Sequence, residues 1–260
     1  PPVSPPFRAV CRTTGRRIVE VPVTADGRLD LDALAEAFKR EHPAAYLLCS
    51  PHNPSGVVHT ADELARVMEL ANAHDVTVIC DEIHAPLSGA EHTPIQLVPG
   101  GERALTVTSA SKSWNLAGLK AGLIVPGAEA AGLVRSLGGY VPESASYLGV
   151  VAHATALTHG RDWLAEAVAG IHENKQYFAD ELHRAIPELS WTPSQGTYLA
   201  WVDCSPLGLT HAGQHFFEQA KVRFGQGTDY DPAATQFVRV NLATSQEIIS
   251  EAVRRMAASL

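Results

Sequence analysis

Three strand-like segments, each followed at once by polar residues, constrain the fold of this chain more than any other feature of its sequence. They lie at residues 45–49, 76–80 and 104–108, and the first two are continuous apolar runs. Continuous runs, unlike alternating ones, are typical of a parallel sheet that helices cover on both faces. The first part of the chain is therefore predicted to be an α/β domain with a mostly parallel sheet.

Helical segments precede and separate these strands, as an α/β fold requires. Asp30 is the predicted N-cap of one helix, and Thr60 forms a capping box with Glu63 at the start of another. Both helices place apolar residues three and four positions apart, which gives each of them one apolar face. One more strand is predicted at residues 119–125.

The second part of the chain has a different order of elements and predicts a smaller α+β domain. Thr244 and Glu247 are the expected capping pair of the last helix. We predict a large domain over residues 1–165 and a small C-terminal domain over residues 166–260. The other predicted elements are helices at 144–158, 162–186 and about 211–221, and strands at 197–202 and 237–242.

Composition excludes several classes of function. The 260 residues include 20 Lys and Arg against 28 Asp and Glu, a formal net charge of −8, whereas nucleic-acid binding requires clustered positive charge. No apolar run approaches the roughly 20 residues of a membrane span, so we expect neither a membrane-spanning helix nor a secretory leader. The four cysteines are scattered and the 12 histidines lack ligand spacing, so we expect no disulfide scaffold, no metal site and a cytoplasmic location.

Polar residues follow three of the predicted strands, at the edge of the sheet where open α/β folds bind ligands. A buried Asp can hold a cationic nitrogen, a Lys can form a Schiff base, and hydroxyls with backbone N–H groups can bind phosphate. Together these are the groups that pyridoxal phosphate needs. The residues concerned are Asn53, Asp81, His84, Ser109, Ser111 and Lys112.

The motifs around these residues resemble a known enzyme family. They read Ser-Pro-His-Asn-Pro-Ser-Gly at 50–56, Asp-Glu-Ile-His at 81–84 and Ser-Lys-Ser-Trp-Asn-Leu-Ala-Gly-Leu at 111–119. This set resembles fold-type I pyridoxal-phosphate enzymes of the class I/II aminotransferase superfamily, and within it the MalY/PatB branch of cystathionine β-lyases and C–S lyases. The resemblance continues through 195–199 and 238–242. It implies a three-layer α/β/α large domain, a smaller C-terminal α+β domain and a homodimer.

The resemblance also implies roles for the residues that would contact the cofactor ring. Lys112 would bind the cofactor's aldehyde and, once released, move the proton between the substrate Cα and the leaving group. Asp81 would pair with the protonated pyridine nitrogen. Asn53 and His84 would hydrogen-bond the phenolic oxygen of the ring. Each has an ordinary alternative: Asp81 a helix cap, Asn53 an Asx-turn before a proline, His84 a packed core residue.

Further implied roles concern the phosphate and the substrate. Ser109 and Ser111 would bind the phosphate, and Arg239 would hold the substrate α-carboxylate in a bidentate pair. Lys120 stands eight residues after Lys112, where aminotransferases usually carry an arginine that helps to hold the phosphate. Ser4 stands where the family usually has an aromatic residue that stacks on the cofactor ring. Both are departures from the family pattern.

Three functions are consistent with this pattern. The first is a pyridoxal-phosphate-dependent C–S β-lyase that cleaves cystathionine or a related cysteine S-conjugate to a thiol, pyruvate and ammonia. The second is an aminotransferase that transfers an amino group to a 2-oxo acid. The third is a non-catalytic or truncated member, because the superfamily's N-terminal arm and phosphate loop would precede Pro1. From that expectation, the 260 residues alone would have weak or no activity.

Overall fold

The computed structural model describes residues 1–88 and 92–260, which form two compact units. The four-stranded unit comprises residues 19–52 and 57–166. The three-stranded unit comprises residues 1–18, 53–56 and 167–260. The chain passes from one unit to the other between Glu166 and Ala167, and the predicted domain division into 1–165 and 166–260 stays a prediction.

The elements alternate along the chain much as the sequence patterns indicate. The helices are α1 (Pro5–Thr13), α2 (Leu31–Glu41), α3 (Ala61–Ala73), α4 (Ala110–Ser113), α5 (Ala131–Arg135), α6 (Tyr140–Glu143), α7 (Tyr147–His159), α8 (Arg161–Ala185), α9 (Ala212–His215), α10 (Gly227–Tyr230) and α11 (Gln246–Ala258). The strands are β1 (Ala45–Cys49), β2 (Thr77–Asp81), β3 (Leu105–Thr108), β4 (Leu123–Pro126), β5 (Leu199–Asp203), β6 (Gly225–Gln226) and β7 (Phe237–Asn241).

The sheet of the four-stranded unit has the order β1-β2-β3-β4. β1, β2 and β3 are parallel, and β4 runs antiparallel to β3. The predicted mostly parallel sheet is therefore confirmed. The prediction of a strand over 119–125 was wrong at its start, because residues 117–119 form a 3₁₀ turn and Lys120, at φ 53°, is left-handed.

Local capping fixes the helices that cover this sheet. The Asp30 side chain accepts a hydrogen bond from Ala33 N at 2.9 Å, and Thr60 forms both bonds of its capping box with Glu63. Both predicted caps are confirmed. The core contains apolar residues of both helices and of the strands, namely Leu34, Phe38, Leu48, Leu64, Val67, Met68, Leu70, Ala71, Val76, Val78, Cys80, Ile95, Val98 and Ala104.

His59 is fully buried in the four-stranded unit, and neither ring nitrogen has a hydrogen-bond partner. Burial lowers the pKa of His59 to about 4. In the unfolded chain the pKa of His59 is near 6.5. As pH falls from there towards 4, His59 therefore binds a proton in the unfolded chain but not in the folded one. Acid in this window therefore destabilises the fold.

We expect His59→Leu to reduce this acid sensitivity. Between pH 7 and pH 4.5 the wild-type free energy of unfolding should fall by about 2–3 kcal/mol more than that of the variant. Urea unfolding at the two pH values measures the difference. His42→Leu, which changes an exposed histidine after α2, is the control and should behave like the wild type. Equal losses in His59→Leu and wild type would contradict the prediction.

The three-stranded unit has an antiparallel sheet of order β5-β7-β6. Its core joins the C-terminal half of α8 to this sheet and to α11. The buried apolar residues are Phe178, Leu182, Ile186, Leu189, Ala200, Val202, Cys204, Ala212, Phe216, Ala220, Val238, Val240, Leu242, Ile249, Val253 and Met256.

Three details of this unit differ from the sequence patterns. No element is predicted before the helix that Asp30 caps, yet Pro5–Thr13 form α1, whose first turn accepts Pro5 and Pro6 because the first helical N–H groups need no intrahelical partner. The cap of α11 is Ser245 rather than Thr244, because Ser245 is the last residue with extended backbone before the helix. The helix expected at about 211–221 is divided into α9 and a π-helical turn at Phe216–Ala220.

Two further observations concern residues 1–88 and 92–260. No helix in these ranges combines the length and apolar character needed to cross a membrane. No three His, Cys, Asp or Glu side chains in them are grouped so that they could hold a metal ion.

Candidate active site

Asp81 and Lys112 follow neighbouring strands of the four-stranded unit. Asp81 ends β2, and Lys112 lies on α4, the short helix after β3. The Asp81 carboxylate accepts a hydrogen bond from Ile83 N at 3.0 Å. Burial raises the pKa of Asp81, while the Ile83 hydrogen bond and the positive charge of Lys112 act against that rise. The fold thus holds a half-buried carboxylate and an amine in electrostatic range of each other.

Ser109 lies at the N-cap of α4 and fixes the turn that carries Lys112. Its Oγ accepts from Ser111 N at 3.0 Å and donates to Ala121 O at 2.8 Å. Nε2 of His153, on α7, is 3.4 Å from the same oxygen. The structure therefore brings Ser109 and Ser111 together. Because Ser109 donates its only proton to Ala121, it would have to rotate its hydroxyl to donate to a phosphate.

Two other predicted residues of this unit differ in exposure. His84 is only 2% exposed, and its carbonyl oxygen accepts from Leu87 N in the following 3₁₀ turn. Lys120 is exposed, directly after the 3₁₀ turn that follows the Lys112 motif. Their contacts with a cofactor stay predictions.

Glu82, beside Asp81 in the sequence, has a structural role. It is buried, and its carboxylate accepts from Ile95 N at 2.8 Å and lies 3.5 Å from His92 Nε2. These contacts attach the end of β2 to the segment that begins at residue 92. Glu82 therefore holds the segment that begins at residue 92, whereas the carboxylate of Asp81 remains for a ligand.

In the three-stranded unit, Arg239 on β7 contacts Asn53 directly. Its Nη1 donates to Asn53 Oδ1 at 2.9 Å, across 186 residues of sequence. Its Nε is buried without a hydrogen-bond partner, and its Cζ lies 4.8 Å from the centroid of the Tyr230 ring. A buried N–H without a partner lowers the stability of the fold, and an anionic ligand would supply that partner. The Nε edge of this guanidinium is therefore suited to donate hydrogen bonds to an anion.

The turn that carries Asn53 is attached to a loop of the same unit. Gly196 N donates to Gly56 O at 2.8 Å. The buried Lys175 of α8 donates through Nζ to Ser194 O at 2.7 Å and to Gly196 O at 3.1 Å. At Gly56, φ is 76° and a Cβ would lie 2.3 Å from Ser194 Oγ, so a glycine is required there. Lys175 thus fixes the loop against which the Asn53 turn packs.

Sequence reasoning missed three residues, one in the four-stranded unit and two in the three-stranded unit. Tyr230, His153 and Lys175 contact predicted site residues or the turns that carry them. No motif or spacing marks any of them, because each contact joins different elements or loops and follows no helix or strand period. A search for aromatic or titratable residues would have found them only among many others.

Comparisons with known proteins agree with the motifs. The family model described as aminotransferase class I and II matches residues 1–256. A Mycobacterium leprae protein, provisionally named a cystathionine beta-lyase, is 42% identical over 283 residues, which cover 100% of this chain and 70% of the relative. Cystathionine beta-lyase PatB of Bacillus subtilis is 33% identical over 276 residues, which cover 100% and 70%.

A solved structure agrees at the level of the fold. The pyridoxal-phosphate-bound C–S lyase of Staphylococcus hominis matches with a TM-score of 0.91 at 27% identity, covering 100% of this chain and 68% of that one. The resemblance inferred from the motifs and the predicted fold class are therefore confirmed.

Proposed function

This chain belongs to the class I and II aminotransferase family, and from that premise we propose that it is a pyridoxal 5′-phosphate-dependent C–S β-lyase. Its substrate would be cystathionine or a related cysteine S-conjugate. The Cβ–S bond breaks, the sulfur leaves with the electron pair and takes up a proton, and water converts the remaining fragment to pyruvate and ammonia. The names of the relatives support the lyase reaction over amino transfer.

The placement of Asp81 and Lys112 carries the part of this proposal that concerns the cofactor. A carboxylate and an amine follow neighbouring parallel strands, with the carboxylate half-buried and in electrostatic range of the amine. This donor set fits the cofactor, because a pyridinium nitrogen needs a buried anion and an aldehyde needs an amine. The hydroxyls of Ser109 and Ser111 and the ammonium of Lys120 fit its phosphate. Asn53 and His84 would bind the phenolic oxygen.

Arg239 would bind the substrate α-carboxylate. Its Nη1 is engaged by Asn53, whereas its buried Nε lacks a partner, so a carboxylate can add a bidentate pair on the Nε side of the guanidinium. A lysine could supply the charge but not this planar pair of donors. The Asn53 contact would hold the guanidinium plane in place before substrate arrives.

Lys112 would carry out the proton transfers. When bound, pyridoxal phosphate supplies an electron sink that stabilises negative charge at the substrate Cα. The Lys112 Nζ, once free, would take the proton from the substrate Cα and deliver it to the departing sulfur. Asp81 would keep the ring nitrogen protonated, because a nearby carboxylate favours the cationic form.

Incubation of the cofactor-loaded protein with cystathionine tests the proposal. We expect a free thiol and pyruvate in equal amounts. Amino transfer to a 2-oxo acid without thiol release would instead establish the aminotransferase alternative. If the purified protein forms no visible absorbance band with pyridoxal phosphate, the non-catalytic alternative would hold.

We also propose a homodimer, with α7 of the four-stranded unit at its interface. Tyr147 and Leu148 on this helix are 79% and 71% exposed, and Val150, Val151 and Leu157 are also exposed. Exposed apolar patches of this kind mark interaction surfaces, and symmetric dimers are the commonest assemblies.

A cytoplasmic location is proposed as well, because Cys11, Cys49, Cys80 and Cys204 are all free thiols.

We expect Leu148→Glu to shift the protein from dimer to monomer, because the substitution buries a charge in the proposed interface. Light scattering during size-exclusion chromatography measures the mass. Leu97→Glu is the matched control, since Leu97 is 77% exposed on a 3₁₀ turn of the same unit, outside α7. A monomeric wild type, or a Leu148→Glu variant that remains dimeric, would contradict this interface.

A further inference from the structure

We propose that Tyr230 is a positioning residue that orients Arg239 for the substrate carboxylate, and that the N-terminal segment Pro1–Thr13 holds Tyr230 in place. The inference rests on the role proposed above for Arg239. It gives a role to Tyr230 and to the segment Pro1–Thr13, which none of the sequence motifs explains.

The ring of Tyr230 lies against the guanidinium of Arg239. The distance from Arg239 Cζ to the ring centroid is 4.8 Å, within the range of a cation–π interaction. Tyr230 is only 4% exposed, so little water competes for the guanidinium face. The ring covers one face of the cation and leaves its N–H edges for Asn53 and for a ligand.

The antiparallel sheet is built to receive this ring. Arg239 pairs with Trp201 on one neighbouring strand and with Gly225 on the other. Trp201 meets the Tyr230 ring edge-on at 5.4 Å. A Cβ at Gly225 would lie 3.0 Å from Tyr230 Oη and 3.4 Å from Arg239 Cβ, so the missing side chain leaves the space that the ring occupies.

Two donors from the N-terminal segment hold the backbone of Tyr230. Val3 N donates to Tyr230 O at 3.0 Å, and Arg8 Nη1, on α1, donates to the same oxygen at 2.6 Å. A carbonyl at the end of the short helix α10 would otherwise lack an intrahelical partner. The segment thus fixes the residue whose ring fixes Arg239.

Two ligands that differ only in the carboxylate test this role. In the cofactor-loaded protein, the affinities for L-alanine and for ethylamine are measured from the change in the visible spectrum. We expect Tyr230→Leu to weaken L-alanine binding by about fivefold to tenfold and to leave ethylamine binding unchanged. Tyr230→Phe, which keeps the ring, should bind both ligands like the wild type.

The same measurement in an Arg239→Met background shows whether Tyr230 acts through Arg239. There, adding Tyr230→Leu should cause no further loss of L-alanine affinity. Equal weakening of both ligands by Tyr230→Leu, or a full further loss in the Arg239→Met background, would overturn the proposal. Arg8→Met should weaken L-alanine alone, and an unchanged affinity would overturn the role of the N-terminal segment.

A second experiment needs no cofactor and separates this inference from the proposed function. Guanidinium chloride midpoints are measured for Tyr230→Leu, Arg239→Met and the double variant of the cofactor-free protein. We expect the double variant to lose less than the sum of the two single losses, because both remove the same contact. Additive losses would overturn the contact. If pyridoxal phosphate fails to bind at all, the proposed function fails, and this cycle still decides the pairing.

Discussion

Lys112→Ala is expected to abolish thiol release from cystathionine, with a fall in kcat of about 10⁴-fold or more. The variant loses both the amine that would bind the cofactor and the base that would take the Cα proton. Steady-state release of thiol and pyruvate measures the loss, and borohydride treatment shows whether the cofactor is still attached covalently. Added methylamine should restore part of the activity, because a free amine can take up the role of the missing base.

The matched control is Lys39→Ala, which removes an exposed lysine from the last turn of α2. It should leave kcat and the visible spectrum unchanged. If Lys112→Ala kept a kcat within about tenfold of the wild type, the assignment of Lys112 as the catalytic lysine would be wrong. A variant that retains the covalent band but not the activity would point to a different cofactor lysine.

Asp81→Asn is expected to lower kcat by about 10³-fold while making the cofactor-free protein more stable at pH 7. Asp81 is the residue that we propose to hold the proton on the ring nitrogen, and without that proton the ring would be a much weaker electron sink. The gain in stability follows from the raised pKa of Asp81, which burial causes. Its stabilising contribution is present when the group is protonated, at low pH, and is lost as pH rises through the raised pKa. The neutral amide of Asn does not destabilise the fold in this way, because it has no charge to bury at pH 7.

Two measurements separate these opposite effects. Urea midpoints of the cofactor-free proteins should be higher for Asp81→Asn at pH 7 and should converge with the wild type as pH falls. In the cofactor-loaded proteins, by contrast, kcat should be lower for Asp81→Asn than for the wild type. Asp32→Asn, which changes an exposed aspartate in the first turn of α2, is the control for loss of one negative charge. A stable variant with normal kcat would exclude Asp81 from the ring nitrogen.

The sequence predicts those parts of the fold that depend on near neighbours. The caps at Asp30 and Thr60 involve residues three positions apart, and both occur in the structure. The motif segments after β2 and β3 also follow the strands as expected. The cap of α11 is one residue away from its predicted place, because Thr244 and Ser245 are both good caps and only the backbone decides between them.

Other features depend on residues that are distant along the chain, and no local pattern contains them. The Asn53–Arg239 contact spans 186 residues, and the Arg8–Tyr230 contact spans 222. α1 has no predicted counterpart, because the two prolines in its first turn are as typical of a turn or a loop as of the start of a helix. Tyr230 and Arg239 are only nine residues apart, but their contact depends on how α10 and β7 lie beside each other, which no helix or strand period encodes.

The interleaved composition of the three-stranded unit has a consequence for the order of folding. Residues 19–52 and 57–166 are complete before the last hundred or so residues leave the ribosome, so the four-stranded unit can fold during synthesis. The three-stranded unit cannot fold so early. Its helix α1 contacts Tyr230 and its residue Asn53 contacts Arg239, and both partners are synthesised much later. Closing such long loops is slow. The Arg239 site, which we propose to bind the substrate carboxylate, is therefore among the last structures to form as the chain is made.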